Sequence, residues 1–239
     1  MTGRPVLLVH GAWHGSWCWQ PVLDLLAARG VRSQAVDLPS AGSTPTGDLH
    51  ADAEVVRSAL DGLEPAVLVG HSYGGAVVTE AGVHPNVHHL VYLAAFALNE
   101  TESLSAAAPE EAAAAQLDHT GRPDAGAAME PGAPGTTVIR PELAAELFYN
   151  TCSQQVAADA TRWLRPQAMA GFAQSPAAVA WRERPSTYAV CTQDNAVHPG
   201  LQRILARRTT AAVEWPTDHS PFLSRPELVA DLLAELATT

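Results

Sequence analysis

Leu68-Val69-Gly70-His71-Ser72-Tyr73-Gly74-Gly75 is the stretch on which the reading of this chain turns. An apolar run of strand length, Ala66 to Val69, leads into it, and a helix expected from Tyr73 to Val83, halted by Pro85, leads out. A serine between strand and helix on so short a connection must sit in a tight, strained turn. Residues two before and two after it, here Gly70 and Gly74, must then be nearly free of side chain so that strand and helix can approach. The serine oxygen is left projecting at the carboxyl edge of a sheet.

Working outward, strand-length apolar runs alternate with amphipathic stretches, the pattern of an α/β protein with a mainly parallel central sheet flanked by helices. Strands are expected over Pro5 to His10, Val31 to Val36, His89 to Phe96, Ser186 to Cys191 and Ala211 to Trp215. Helices are expected over Gln20 to Arg29, stopped by Gly30, and over Asp48 to Leu63, Pro199 to Arg208 and Pro226 to Ala237. Between the two alternating parts the chain is rich in alanine, proline and glycine and offers no strand pattern. We read residues 97–181 as a small helical cap inserted into a core formed by 1–96 and 182–239. Short helices are expected there over Thr101 to Gln116, Pro141 to Tyr149, Gln154 to Trp163 and Pro176 to Trp181, with a loop from Asp118 to Gly135.

Composition removes many alternatives. With 239 residues, 47% hydrophobic and 16% charged, the chain can build one large core. Twenty-five acidic residues against 14 basic ones give a net charge of −11, which opposes binding to nucleic acid. All 14 basic residues are arginine, so every chemistry that needs a lysine amine is excluded, including Schiff-base formation and the phosphate-loop lysine. Cys18, Cys152 and Cys191 make neither a disulfide framework nor a zinc pair. His84, His88 and His89 are a poor metal set, because Pro85 breaks helical spacing and neighbouring strand residues face opposite ways. No metal and no cofactor is expected. No basic leader precedes Val6-Leu7-Leu8-Val9 and no apolar run nears about 20 residues, so we expect a cytoplasmic protein without membrane attachment.

Ser72 needs a base, and the order serine, acid, histidine goes with a serine at a strand-to-helix turn. His219, in Thr217-Asp218-His219-Ser220-Pro221, lies in a loop between the last strand and last helix; the other late histidine, His198, belongs to a helix start. Asp194, just past the Ser186 to Cys191 strand, is favoured as the acid over Asp218, since loop neighbours usually point apart and the carboxylate must reach the far ring nitrogen of His219. An oxyanion would be held by the backbone amides of Ala12 and Tyr73. In His10-Gly11-Ala12-Trp13-His14-Gly15-Ser16-Trp17 the two histidines are read as supports of that loop. An apolar pocket is expected from Gly11, Trp13, Phe148 and Trp163, with Tyr149, Met169 and Phe172 nearby in the insertion.

With these residues assembled, the chain resembles the α/β-hydrolase superfamily, and within it the plant methylesterase and hydroxynitrile lyase family with its bacterial esterase relatives. The resemblance rests on Val9 to Trp17, Leu68 to Gly75, Asp194 and Asp218-His219-Ser220-Pro221, and Asp37-Leu38-Pro39-Ser40-Ala41-Gly42 also looks like the family's loop, where Asp37 is given a structural role. It implies a metal-free serine hydrolase cleaving a small apolar or aromatic carboxylic ester or lactone through an acyl-enzyme, and it suggests a homodimer. Family lyases carry threonine where this chain has Gly11 and lysine where it has Ser220, so the esterase branch is favoured. A lyase, cyclase or dehydratase using the Ser72 and His219 pair for proton transfer is the alternative.

Overall fold

Val6-Leu7-Leu8-Val9 is buried at every residue, which requires cover on both faces of the strand. A computed structural model, describing residues 3–106 and 117–238, shows what provides that cover. The first part of the chain forms β1 (Val6–Val9), α1 (Gln20–Ala28), β2 (Ser33–Val36), α2 (Leu49–Asp61), β3 (Ala66–His71), α3 (Gly74–Ala81) and β4 (Val87–Leu93). There follow β5 (Met129–Pro131), β6 (Thr136–Ile139), α4 (Pro141–Phe148), α5 (Gln154–Trp163) and β7 (Gln167–Ala168). The last part forms β8 (Ser186–Cys191), α6 (Pro199–Ala206), β9 (Ala211–Trp215) and α7 (Pro226–Thr238).

Six strands make one parallel sheet in the order β2-β1-β3-β4-β8-β9. Side chains alternate across it. Val6, Leu8, Val67, Val69, Val91 and Leu93 pack on the face covered by α1 and α7, through Val22, Leu26, Val229 and Leu233. Leu7, Val9, Leu68, Leu90 and Tyr92 pack on the other face, against Leu49, Val56 and Leu60 of α2, Val77 of α3 and Leu205 of α6. Helix ends follow local chemistry: Asp48 caps α2 by accepting from the Ala51 amide at 3.0 Å, and Gly30, at φ 73°, takes the left-handed turn that ends α1.

β1 is one residue shorter than expected at each end, β2 starts at Ser33 instead of Val31 and β4 at Val87 instead of His89; two further differences lie at the site edge of the sheet. β3 runs on through His71, because its pairing with β4 continues to Leu93. β4 stops at Leu93 instead of Phe96, because Ala94 turns the backbone to φ 46°. The larger correction lies between β4 and β8, where we expected no strand: β5, β6 and β7 form a three-stranded antiparallel sheet. Its strands are two to four residues long, too short for alternation to register, and β7 joins from far along the chain. The loop expected over Asp118 to Gly135 accordingly contains β5 and a one-turn helix, Ala125–Ala128. Pro176 to Trp181 yields only a 3-10 turn at Ala180–Arg182. Of the helix expected over Thr101 to Gln116, Leu104–Ala106 is a 3-10 turn and residues 107–116 lie outside the described residues. No helix among the described residues is long and apolar enough to cross a membrane.

Leu68 sits wholly buried mid-strand in β3. Leu68→Ala is expected to lower unfolding free energy by about 2–5 kcal/mol, the range for buried leucine truncation, read from urea denaturation; a loss below about 1 kcal/mol would contradict this packing.

Candidate active site

The turn after β3 holds Ser72 at φ 51°, in the left-handed region that costs a non-glycine residue energy. Backbone bonds keep it there: the Ser72 amide donates to Leu93 O at 3.3 Å, and its carbonyl accepts from the amides of Gly75 at 2.9 Å and Phe96 at 3.1 Å. The glycines on either side are needed for space. A Cβ on Gly70 would lie 2.5 Å from the Gly74 carbonyl oxygen, and one on Gly74 would lie 2.6 Å from that of His10.

β8 and β9 end beside this turn and deliver the next two residues. His219 Nδ1 is 2.8 Å from Asp194 Oδ2, with both side chains almost fully buried. Asp194 accepts three further hydrogen bonds, from the amides of Ala196 (2.7 Å) and Val197 (2.9 Å) and from Gln202 Nε2 (2.7 Å). Such a carboxylate cannot rotate without losing several partners at once. Asp218 faces elsewhere. It accepts from the Thr151 amide, the Cys152 thiol, the Ser220 amide and the Ser224 hydroxyl, which ties the His219 loop to the segment before α5.

The loop after β1 is built on two buried histidines. His10 Nδ1–H donates to Gly11 O at 2.8 Å while its Nε2 accepts from the Leu38 amide at 3.0 Å. His14 Nδ1–H donates to Ala12 O at 2.8 Å and its Nε2 accepts from the Tyr149 hydroxyl at 2.9 Å. A ring that donates through one nitrogen and accepts through the other is neutral, and burial agrees, pushing His10 down to about 4 and His14 to about 3. His71 donates from Nε2 to His219 O at 2.8 Å, and burial holds its pKa well below the ordinary value. Asp37 accepts from the Ser16 amide (2.8 Å) and hydroxyl (2.9 Å), fixing the far end of the same loop.

Ser72, His219, Ala12 and Tyr73 all line one cavity of about 330 Å³. Its walls are apolar: Trp13, Phe96, Leu147, Phe148, Met169 and Phe172, with Met129 and Ile139 added by the small sheet that sequence reading missed. Phe148 lies 5.6 Å from the His219 ring, centroid to centroid. Two expected pocket residues are elsewhere. Trp163 is 60% exposed at the end of α5, its ring tilted against Trp17 at 6.3 Å, because helical periodicity turns that position outward. Gly11 does not line the cavity either. A Cβ there would lie 2.8 Å from His71 Nδ1 and 2.9 Å from the Ser72 Cβ, so its small size accommodates His71 and Ser72. Tyr149, wholly buried against His14, is likewise not a wall. His198 caps α6 through its Nδ1, which accepts from the Gly200 amide. Among the described residues, no three His, Cys, Asp or Glu side chains cluster as metal ligands.

Known proteins share the fold. The family model described as "Alpha/beta hydrolase family" matches residues 6–232. The chain is 28% identical to the alpha/beta hydrolase nvfD of Aspergillus novofumigatus, over 99% of its own length and 98% of that protein's. It is 27% identical to Methylesterase 18 of Arabidopsis thaliana, over 100% and 99% of the two lengths. Among solved structures it is similar to a pyrethroid hydrolase from Sphingobium faniae, at a TM-score of 0.80 and 25% identity, covering 98% of this chain and 97% of that one.

The neutral histidines carry a pH dependence whose sign is fixed. Unfolded, each titrates near 6.5, whereas folded His10 takes up a proton only near 4 and His14 near 3, and burial holds His71 well below its ordinary value. The unfolded state therefore binds more protons between these values, so their stabilisation is full above about pH 6.5 and falls as pH drops, by up to about 1.4 kcal/mol per pH unit for each histidine. Urea midpoints measured at about pH 7.5 and pH 5 should differ clearly, the acidic one lower; equal midpoints would show that these rings do not fold neutral.

Proposed function

Because the chain belongs to the α/β hydrolase family, we propose that it is a carboxylic ester hydrolase in which Ser72 is the nucleophile, His219 the general base and Asp194 the residue orienting it. One observation carries this reading. Ser72 and His219 share a cavity, and the histidine nitrogen on the far side of its ring meets the buried carboxylate of Asp194 at 2.8 Å.

The chemistry follows in two stages. Ser72 Oγ attacks the ester carbonyl as its proton passes to His219 Nε2, and the carbonyl oxygen, now negative, is met by the amides of Ala12 and Tyr73. The alcohol leaves with the proton that His219 returns. Water, deprotonated by His219, then attacks the acyl-enzyme and releases the acid. Asp194 keeps Nδ1 protonated and stabilises the imidazolium while Nε2 works.

Residues 97–181 act as a cap in this reading, and the cavity they help to line takes a small, neutral, apolar or aromatic ester. Likeness to a methylesterase and a pyrethroid hydrolase supports that class. A cyanohydrin is a poorer substrate here: departing cyanide finds no ammonium, since the chain has no lysine, and Ser220 follows His219. Three free cysteines fit a reducing, cytoplasmic setting.

The decisive experiment is labelling with a fluorophosphonate together with turnover of a p-nitrophenyl ester. Ser72 should be the labelled residue, and Ser72→Ala should lose activity on the order of 10⁶-fold with an unchanged fold; retention of a tenth of the rate sinks the assignment. Asp194→Asn should cost on the order of 10⁴ in kcat by favouring the wrong tautomer, and Asp218→Asn far less. Were the two effects exchanged, Asp218 would be the orienting acid. Specificity constants for mandelonitrile and an aryl ester on the same preparation should favour the ester, and the reverse preference would point to lyase chemistry.

A further inference from the structure

Behind the cavity wall runs a chain of buried polar side chains that the proposed mechanism does not use. The Trp13 amide donates to Gln167 Oε1 (3.2 Å), Gln167 Nε2 donates to Ser40 Oγ (2.9 Å), and Ser40 Oγ donates to Asp52 Oδ2 (2.5 Å). From the opposite side the Tyr73 hydroxyl donates to the same Asp52 oxygen at 2.7 Å, while Asp52 Oδ1 accepts from the Ser40 amide at 3.0 Å. Ser40, Asp52 and Gln167 are wholly inaccessible to solvent and Tyr73 nearly so. The donors from Trp13 through Gln167 and Ser40 and from Tyr73 run toward Asp52, the second Gln167 Nε2 proton going to Ala168 O at 3.1 Å, so no member can reverse without orphaning a neighbour.

The two ends of this network are what give it meaning. One end is the backbone of Trp13, next to Ala12; the other is the side chain of Tyr73, next to Ser72. These are the two turns that carry the amides assigned to the oxyanion. Both are strained, Trp13 at φ 60° and Ser72 at φ 51°. Trp13 is gripped on both sides, its amide by Gln167 and its carbonyl by the Arg165 amide at 2.8 Å. Gln167 comes from β7, so the segment between β4 and β8 reaches through to set a turn of the central sheet.

We propose that Gln167, Ser40 and Asp52 are positioning residues that hold the Ala12–Trp13 and Ser72–Tyr73 turns at the separation an oxyanion requires. This rests on the reading of Ser72 as an acyl-transfer nucleophile. Amide donors stabilise developing charge only if they are placed before the reaction begins, and a displacement of about 1 Å can cost on the order of 10²-fold in rate. The network acts on backbone, leaving substrate contacts alone. The Trp13 ring is held separately, by its Nε1–H donating to Thr137 Oγ1 at 3.1 Å and by packing on Phe148 and Phe172. The Tyr73 ring stacks on Phe172 at 5.5 Å, a contact that Tyr73→Phe preserves. Loss of the network should therefore lower kcat with little change in KM.

The test compares wild type, Gln167→Ala and Tyr73→Phe with a p-nitrophenyl ester and two ketones. An aryl trifluoromethyl ketone forms a hemiketal: Ser72 Oγ bonds to the carbonyl carbon, its proton goes to His219, and the oxygen becomes an oxyanion. The matching methyl ketone fills the same space and stays largely unreacted. Each variant should lose about ten- to a hundredfold in kcat with KM within about twofold of wild type, and affinity for the trifluoromethyl ketone should fall by the same factor as kcat/KM. Affinity for the methyl ketone should hold. Equal loss for both ketones, or full activity in the variants, overturns the inference. If Gln167→Ala fails to fold, Tyr73→Phe carries the same comparison. A wild type that neither turns over esters nor binds the trifluoromethyl ketone overturns the underlying reading of Ser72, whereas an active wild type with unaffected variants overturns this inference alone.

Discussion

The close approach of β3 and α3 around Ser72 is the constraint from which the rest of the site descends. A left-handed residue between a strand and a helix brings the backbones of Val9, His10 and Gly74 almost into contact, and only glycine at 70 and 74 leaves room for it. That approach aims the Ser72 side chain out of the sheet's carboxyl edge and starts α3 directly behind it. It also determines where everything else must come from. In a parallel sheet every strand delivers its following loop to the same edge, so the loops after β1, β8 and β9 meet Ser72 without any further device.

Around that turn the polar groups are buried and paired with fixed direction. His10, His14 and His71 each donate to a backbone carbonyl of the site loops, so three rings that could titrate serve as neutral braces. Burial, which lowers their pKa values, is the cause of that neutrality. Asp194 shows the same economy: its carboxylate is gripped by the turn that follows it and by Gln202 of α6, so its orientation is settled before any substrate arrives.

The segment between β4 and β8 contributes in two ways. Its apolar side chains from β5, β6, α4 and the Met169–Phe172 turn wall the cavity, making a medium in which charge is poorly screened. It is also bound to the core by polar contacts at the site loops, Asn195 to Glu146 O, Asn150 to Gln193 O, and Gln167 to Ser40. Cavity wall and polar contacts to the core thus come from one stretch of chain, between β4 and β8.

The alternation of apolar runs, the Gly70-His71-Ser72-Tyr73-Gly74 turn and the pairing of Asp194 with His219 were all legible in the sequence. Each is a local pattern: strand periodicity, a steric need for glycine, and loops placed at one edge by chain direction. Asp194 could be preferred over Asp218 on the same ground, since adjacent loop residues diverge. Tertiary structure alone decided what lay far apart in sequence or in pieces too short to show a period. β5, β6 and β7 are invisible as isolated runs: β5 and β6 pair over three residues each, and β7 returns from far along the chain to pair with β6. Phe148 and Trp163 are both aromatics at the ends of helices between β4 and β8, and only the packing of α4 and α5 turned Phe148 into the cavity and Trp163 toward water. Gln167, Ser40, Asp52 and Tyr73 come from four separate segments, so no spacing could announce them. A hydrogen-bond network is a property of positions in space, and the chain writes it only by folding.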